Sequence, residues 1–179
     1  MAQEELIVLV NHEGEPTGTA EKLSSHHADT PLHLAFSCYV FDADGRFLAT
    51  RRSPAKTVWP GVWTNSVCGH PAPGESFSAA IERRLDDELG MTAGSIEVVV
   101  PDYTYRAPPF RGIVEHEFCP VFVARAEGEP RPNRAEVAAY RWMGWQEFVR
   151  AASSDTADAF SWWCKDQLGA LAGRLPVAR

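Results

Sequence analysis

Apolar residues in this chain come in short runs separated by turn-forming clusters, and only near the middle and the end do they take helical spacing. "ELIVLV" (5–10) reads as a strand closed by the turn-rich "NHEGEPTG". "HLAFSCYVF" (33–41) and "RFLATRR" (46–52), with "DADG" between them, form a hairpin signal, because Asp and Gly accept the backbone angles of a tight turn. In "SFSAAIERRLDDELG" (76–90), Phe77, Ile81, Leu85 and Leu89 recur every four residues, which predicts an amphipathic helix that Gly90 stops. "SIEVVVPDYTYRA" (95–107) and "IVEHEFCPVFVARA" (113–126) read as paired strands joined by "PPFRG". Side chains alternate along a strand, so Glu115, Glu117 and Cys119 share one face of the second, opposite Val114, His116 and Phe118. "AEVAAYRWMGWQEFVRAA" (135–152) finishes the sheet and begins a helix, and "SWWCKDQLGALAGRL" (161–175) is a terminal helix capped by Ser161. Strands interspersed with helices without regular alternation predict an α/β sandwich, not a doubly wound sheet.

Composition narrows the class. With 179 residues and 45% hydrophobic content the chain suits one core, and a single domain over 1–179 is expected. No apolar run reaches the roughly 18 residues of a membrane span, and the acidic start "MAQEELIVLV" lacks the basic opening of a signal peptide; a cytoplasmic protein is expected. Cys38, Cys68, Cys119 and Cys164 lie far apart with no CxxC pair, so reduced thiols are expected. The net charge of −7 argues against nucleic-acid or membrane-surface partners; an anionic ligand must be held by a few local Lys and Arg residues. A monomer acting on a small molecule is expected.

The most patterned segment runs Gly69, five residues, Glu75, seven residues, Arg83, then Leu85, Glu88 and Gly90. It resembles the Nudix box of diphosphate-processing proteins, with two departures: Arg84 and Asp87 stand where that family has glutamates. Those acids hold divalent cations in Nudix hydrolases, and a guanidinium cannot. Read alone, Arg84 and Glu88 are an i,i+4 ion pair worth about 0.3–0.5 kcal/mol. Within the motif, the swap turns part of a metal cage into a phosphate clamp, for which arginine's planar fork is suited.

Further segments narrow the resemblance. "EKLSSHHADTPLHLAFS", "TRRSPAKTVWPGVWTNSVCGHP", "YRA" and "GIVEHEFCPVF" occur in the order found in the type I isopentenyl-diphosphate isomerases, over residues 5 to at least 165. The chain is identified as resembling that family, which implies a Nudix-type α/β/α sandwich (α+β) with a mixed central sheet and an N-terminal extension. It also implies interconversion of isopentenyl and dimethylallyl diphosphate through a tertiary carbocation, in isoprenoid biosynthesis. A lone histidine is more often a surface or core residue than a ligand. The resemblance makes His26, His33 and His70, with Glu115 and Glu117, a divalent-metal site suited to Mn²⁺ or Zn²⁺; it alone selects His26 over His27, which is left solvated with His12.

Read alone, Cys68 is a small buried hydrophobe, or, in a polar loop just before a glycine, a group that a ligand approaches. The resemblance assigns Cys68 and Glu117 to acid–base catalysis, with Tyr105 hydrogen-bonded to Glu117, and implies that the Glu117/Tyr105 side adds the proton while Cys68 removes one. Cys38, Cys119 and Cys164 are expected in strands or helix as core residues. Trp163, or Trp162 one residue earlier, is implied to shield the cation with its indole face. Lys22, Arg52, Lys56 and Arg84 are implied to bind the diphosphate, with Mg²⁺ bridging its oxygens and Glu88 assisting; Arg51, on the opposite strand face from Arg52, is expected to point elsewhere. The rival readings are a Nudix hydrolase of another diphosphate and a non-catalytic Nudix-like binding module. The altered acid set weighs against the first. Cys68, Tyr105 and the Glu-x-Glu strand are unexplained by the second.

Overall fold

The computed structural model describes residues 5–175. The chain opens on β1 (Leu6–Val10), returns as β2 (Pro16–Glu21) and enters one helical turn, α1 (Lys22–Ser25). β3 (His33–Leu34), β4 (Phe36–Phe41), β5 (Phe47–Arg52), β6 (Trp63–Thr64) and β7 (Val67–Gly69) lead into α2 (Phe77–Leu89). Next come β8 (Thr92–Val100), β9 (Thr104–Arg106), β10 (His116–Phe118), β11 (Val121–Glu127) and β12 (Val137–Met143), then α3 (Trp145–Ser153) and α4 (Trp162–Leu171).

The strands form two mixed sheets. One runs β2-β1-β3-β10-β9; the other runs β12-β5-β4-β11-β8, with β6 on β5 and β7 on β4. The parallel pairs are β3 with β10 and β4 with β11, so the same two stretches of chain lie side by side in both sheets. They cross from one sheet to the other at Ala35 and at Cys119–Pro120. Pro120 has no N–H and cannot continue a ladder. The stretches stay joined through the crossing because Ala35 N–H donates to the Phe118 carbonyl (2.9 Å) and Ser37 N–H to that of Pro120 (3.2 Å).

Alternation along β4 supplies both faces of the larger sheet. Phe36, Cys38 and Val40 meet Ile81, Leu85 and Leu89 of α2, while Tyr39 and Phe41 belong to the cluster of Phe148 from α3 and Trp163, Cys164 and Leu171 from α4. The result is the predicted α/β/α sandwich. Burial of each large aliphatic side chain on α2 contributes about 1.5–3 kcal/mol, which outweighs any helical propensity of the segment. Ser76 caps α2, its Oγ accepting from Ala79 N–H (3.2 Å), and Gly90 ends it in the left-handed region at φ 56°. The expected Asp-Gly turn is present: Asp42 Oδ1 accepts from the N–H groups of Asp44 and Arg46, and Gly45 takes φ 77°.

Four expectations are corrected. "NHEGEPTG" is not all turn, since Pro16–Glu21 is a strand whose polar, exposed residues give no apolar alternation. The stretches 95–107 and 113–126 are not one strand each; both break and divide between the two sheets. Cys119 therefore lies at the break between β10 and β11, not within a strand, and Cys68 lies in β7, not in a loop. All three cysteines other than Cys68 are buried, as expected of core residues.

Candidate active site

Where the two sheets meet, a cavity of about 310 Å³ is walled by α1, β7, α2, β9, β10 and α4. Three imidazoles cluster at one end. His26, His33 and His70 have ring centroids 4.9–5.7 Å apart, and one ring nitrogen of each converges with the others. His33 Nδ1 lies 2.9 Å from the Pro31 carbonyl and His26 Nδ1 lies 2.6 Å from that of Lys22. A carbonyl can only accept, so both Nδ1 atoms carry the proton and both Nε2 atoms present a bare lone pair to the cluster. Burial, with His70 beside it, pushes His33 down to about 4, and burial also lowers His26, so both rings are neutral.

The two carboxylates close this end. Glu117 Oε1 stands 3.1 Å from His70 Nε2 and 3.8 Å from His33 Nε2, and Glu115 Oε2 stands 3.6 Å from His26 Nε2. Glu115 Oε2 is buried with no hydrogen-bond partner. A buried, unpartnered carboxylate oxygen beside bare imidazole nitrogens fits a divalent cation, which such a donor set binds. The pair divides its charge unequally. Burial and then the charge of Glu117 raise Glu115 above the ordinary carboxylate range. Burial would raise Glu117 too, but hydrogen bonds from His70 and Tyr105 overcome it and hold that carboxyl low.

Tyr105 Oη donates to Glu117 Oε2 (2.8 Å), the contact expected from the sequence. Burial, then the charge of Glu117, keeps the phenol protonated. β9 and β10 place these residues directly opposite one another, since Glu117 pairs with Tyr105 in the ladder. Cys68 reaches the same cavity from β7, which pairs with β4 through Ser37. Burial pushes its thiol up to about 12, with the cation of Arg52 opposing and the charges of Glu88 and Glu117 assisting, so at neutral pH it carries its proton.

The four expected cations, Lys22, Arg52, Lys56 and Arg84, all line the same cavity. Each already has a partner. Lys22 Nζ pairs with Glu5 (2.7 Å), Arg52 donates to the carbonyls of Trp59 (3.1 Å) and Val58 (2.9 Å), and Lys56 pairs with Glu136. Arg84 bonds Glu88 at Oε1 and reaches Glu136 at 3.3 Å. The i,i+4 pair of the bland reading thus exists, but it faces the cavity. Gly69 makes room for it: a Cβ there would stand 3.2 Å from Arg84 Cγ. Arg51 is exposed, donates to the Gly61 carbonyl and points elsewhere, as expected.

Trp163 lines the cavity, 5% exposed, whereas Trp162 stacks on Tyr105 with ring centroids 5.7 Å apart. Sequence reasoning missed two polar residues behind these groups. Asn65 is fully buried; its Oδ1 accepts from Trp163 Nε1 (3.1 Å), and its amide donates to the carbonyls of Cys38 and Val67. Glu136 contacts two of the four cations from the lead-in to β12. An asparagine between Thr64 and Ser66 in a polar stretch gives no signal for a buried anchor, and neither does a lone acid in a polar turn.

Comparison with known proteins identifies the family and the fold. The NUDIX domain family model matches residues 31–163. β1, β2 and α1 precede that match, so Lys22 and His26 come from outside it. A protein of Clavibacter sepedonicus named isopentenyl-diphosphate Delta-isomerase is 52% identical over 169 residues, covering 93% of this chain and 87% of its own. Proteins of the same name from Paenarthrobacter aurescens (51% identity; 97% of this chain, 95% of its own) and Frankia alni (50%; 92% and 84%) are similar throughout. Among solved structures, one from Deinococcus radiodurans superposes with a TM-score of 0.64 at 21% identity, covering 84% of this chain and 91% of its own. A MutT NUDIX hydrolase from Burkholderia pseudomallei superposes with 0.58 at 20%, covering 77% and 96%, and both show the shared fold. Identity near one half over nearly the full chain, on a NUDIX domain with an arginine at the cation-holding position, makes this chain a member of the isopentenyl-diphosphate Delta-isomerase family.

Proposed function

We infer that this protein is an enzyme that interconverts isopentenyl diphosphate and dimethylallyl diphosphate, in isoprenoid biosynthesis. The observation that carries this reading is the joint placement, in one cavity, of a protonated thiol, a tyrosine-bonded carboxylate and four cations. Moving the double bond needs a proton added to one end of an unactivated alkene and another removed from the neighbouring carbon. Cys68 and Glu117 are the two carriers, and Tyr105 orients Glu117 through Oε2. The reaction is reversible, so each carrier donates in one direction and accepts in the other. In the family's order Glu117 adds the proton toward dimethylallyl diphosphate and Cys68 removes one. The unliganded protein has the thiol neutral and Glu117 ionised. In that order the turnover-ready site must carry the proton on Glu117 and leave Cys68 as a thiolate.

His26, His33, His70, Glu115 and Glu117 would hold Mn²⁺ or Zn²⁺, and Glu88, which meets Arg84 at Oε1 alone, would assist Mg²⁺ on the diphosphate. When bound, these ions neutralise buried carboxylates and phosphate oxygens. The face of Trp163 stabilises the carbocation by about 2 kcal/mol when desolvated. Lys22, Arg52, Lys56 and Arg84 anchor the diphosphate. We assign the enzyme to the cytoplasm as a monomer; unpaired cysteines favour a reducing compartment, and exposed large hydrophobics among the described residues are scattered (Leu6, Leu23 and Val98).

Incubation with isopentenyl diphosphate, Mg²⁺ and Mn²⁺ in D₂O, followed by NMR, tests the reading. Deuterium-bearing dimethylallyl diphosphate without phosphate release is expected. Phosphate release with no isomerisation would sink it in favour of a Nudix hydrolase.

A further inference from the structure

Glu136 makes contacts that neither the acid–base pair nor the metal cluster accounts for. Its carboxylate Oε2 receives Lys56 Nζ and also Arg84 Nη2, at 3.3 Å. The two cations come from different elements: Lys56 from the segment after β5, Arg84 from the middle of α2. Glu136 does not line the cavity that both of them face.

Its backbone is fixed to both elements as well. Ser53 N–H donates to the Glu136 carbonyl (2.9 Å), and Lys56 N–H donates to that of Ser53 (3.1 Å). On the other side, Arg131 N–H donates to Leu89 and Asn133 N–H to Glu88 (2.9 Å), which clips the loop onto the end of α2. Glu136 N–H then closes the turn on the Asn133 carbonyl (2.9 Å). The carboxylate is ionised, because Lys56 and Arg84 outweigh its partial burial and hold it below its ordinary value.

We propose that Glu136 is a positioning residue of the diphosphate cradle: from outside the cavity it holds Lys56 and Arg84 together so that both address one diphosphate. This rests on the reading of these cations as the diphosphate site. Two like charges brought close repel, and a shared carboxylate behind them offsets that repulsion while leaving their remaining donors free. An anion that merely filled the place of substrate would act with the opposite sign, since its removal would tighten binding.

Steady-state kinetics of Glu136→Gln, with inhibition by inorganic pyrophosphate as a second readout, decide this. The Michaelis constant for isopentenyl diphosphate is expected to rise about tenfold with kcat within about twofold of the parent, and the pyrophosphate inhibition constant to rise in parallel. Glu136→Asp, which keeps the charge but loses reach, should fall between the two. An unchanged or lowered Michaelis constant, or an Asp variant weaker than the Gln variant, would overturn the proposal. If the parent protein fails to isomerise yet binds pyrophosphate more tightly than Glu136→Gln does, the substrate reading fails and the positioning role stands.

Discussion

At the imidazole end of the cavity, His26 and His33 make their hydrogen bonds outward, to the carbonyls of Lys22 and Pro31, and present bare nitrogens inward. At the diphosphate end, Lys22, Arg52, Lys56 and Arg84 already spend donors on protein acceptors. One end therefore holds uncompensated groups in a fixed arrangement; a buried unpartnered atom such as Glu115 Oε2 costs about 1–3 kcal/mol until something binds it. The other set is satisfied at rest, and a bound diphosphate must engage donors beyond those that Glu136 retains on Lys56 and Arg84. Lys22–Glu5 is the most exposed of its ion pairs and worth about 0–1 kcal/mol, whereas Arg84 and Glu88 are mostly buried, so loosening that pair requires the incoming diphosphate to replace the anion Arg84 gives up. On the proposed function this is a division of labour: the imidazole set is preorganised for chemistry, the cation set for capture and release.

If that division holds, substitutions at the two ends must separate in kinetics. The largest effect is expected from Cys68→Ala and Glu117→Gln, each lowering kcat by about 10³-fold or more, because each removes a proton carrier. Circular dichroism should show the fold intact for Cys68→Ala, since the thiol makes no hydrogen bond that holds β7 to β4. Turnover near the parent value in either variant would refute the assigned pair. At the other end, Arg84→Glu should raise the Michaelis constant about 10- to 100-fold by placing a carboxylate beside Glu88 and Glu136, and it should allow some phosphate release. An unchanged constant would return Arg84 to a purely structural pair and collapse the distinction between the two ends.

How much of this was legible in the sequence follows from how local each signal is. α2 and its stop were readable because four apolar residues at helical spacing and Gly90 lie close together in the chain. The hairpin of β4 and β5 was readable for the same reason. β3, β6, β7, β9 and β10 are two or three residues long, too short to carry an alternation, and they exist because partners distant in sequence complete their ladders. The crossing of two stretches between sheets at Ala35 and Pro120 is likewise a tertiary decision. The residues proposed to hold a metal lie between positions 26 and 117, each an ordinary histidine or glutamate by itself, so only the resemblance collected them. Asn65 and Glu136 act from behind the residues that face the cavity, and no motif marked them.

The tryptophans give the smallest effects, and they probe where the two regions meet. The Arg52 guanidinium lies 5.4 Å from the Trp163 ring centroid, and Asn65 holds the indole nitrogen from behind. On the proposed function Trp163 would touch both tasks, since its ring lines the cavity and lies against Arg52, one of the cations proposed to hold the diphosphate. Trp162 reaches the chemistry only through Tyr105, on which it stacks. Loss of a cation–π contact of about 2 kcal/mol corresponds to about 30-fold, so Trp163→Leu should lower kcat by that order and also raise the Michaelis constant through Arg52. Trp162→Leu should change kcat by less than about fivefold and leave the Michaelis constant alone, because Tyr105 keeps its bond to Glu117. Steady-state kinetics of the two variants side by side check this. The reverse order of effects would make Trp162 the ring that faces the carbocation, and an effect of Trp163→Leu confined to kcat would mean that the two ends of the cavity do not share a wall.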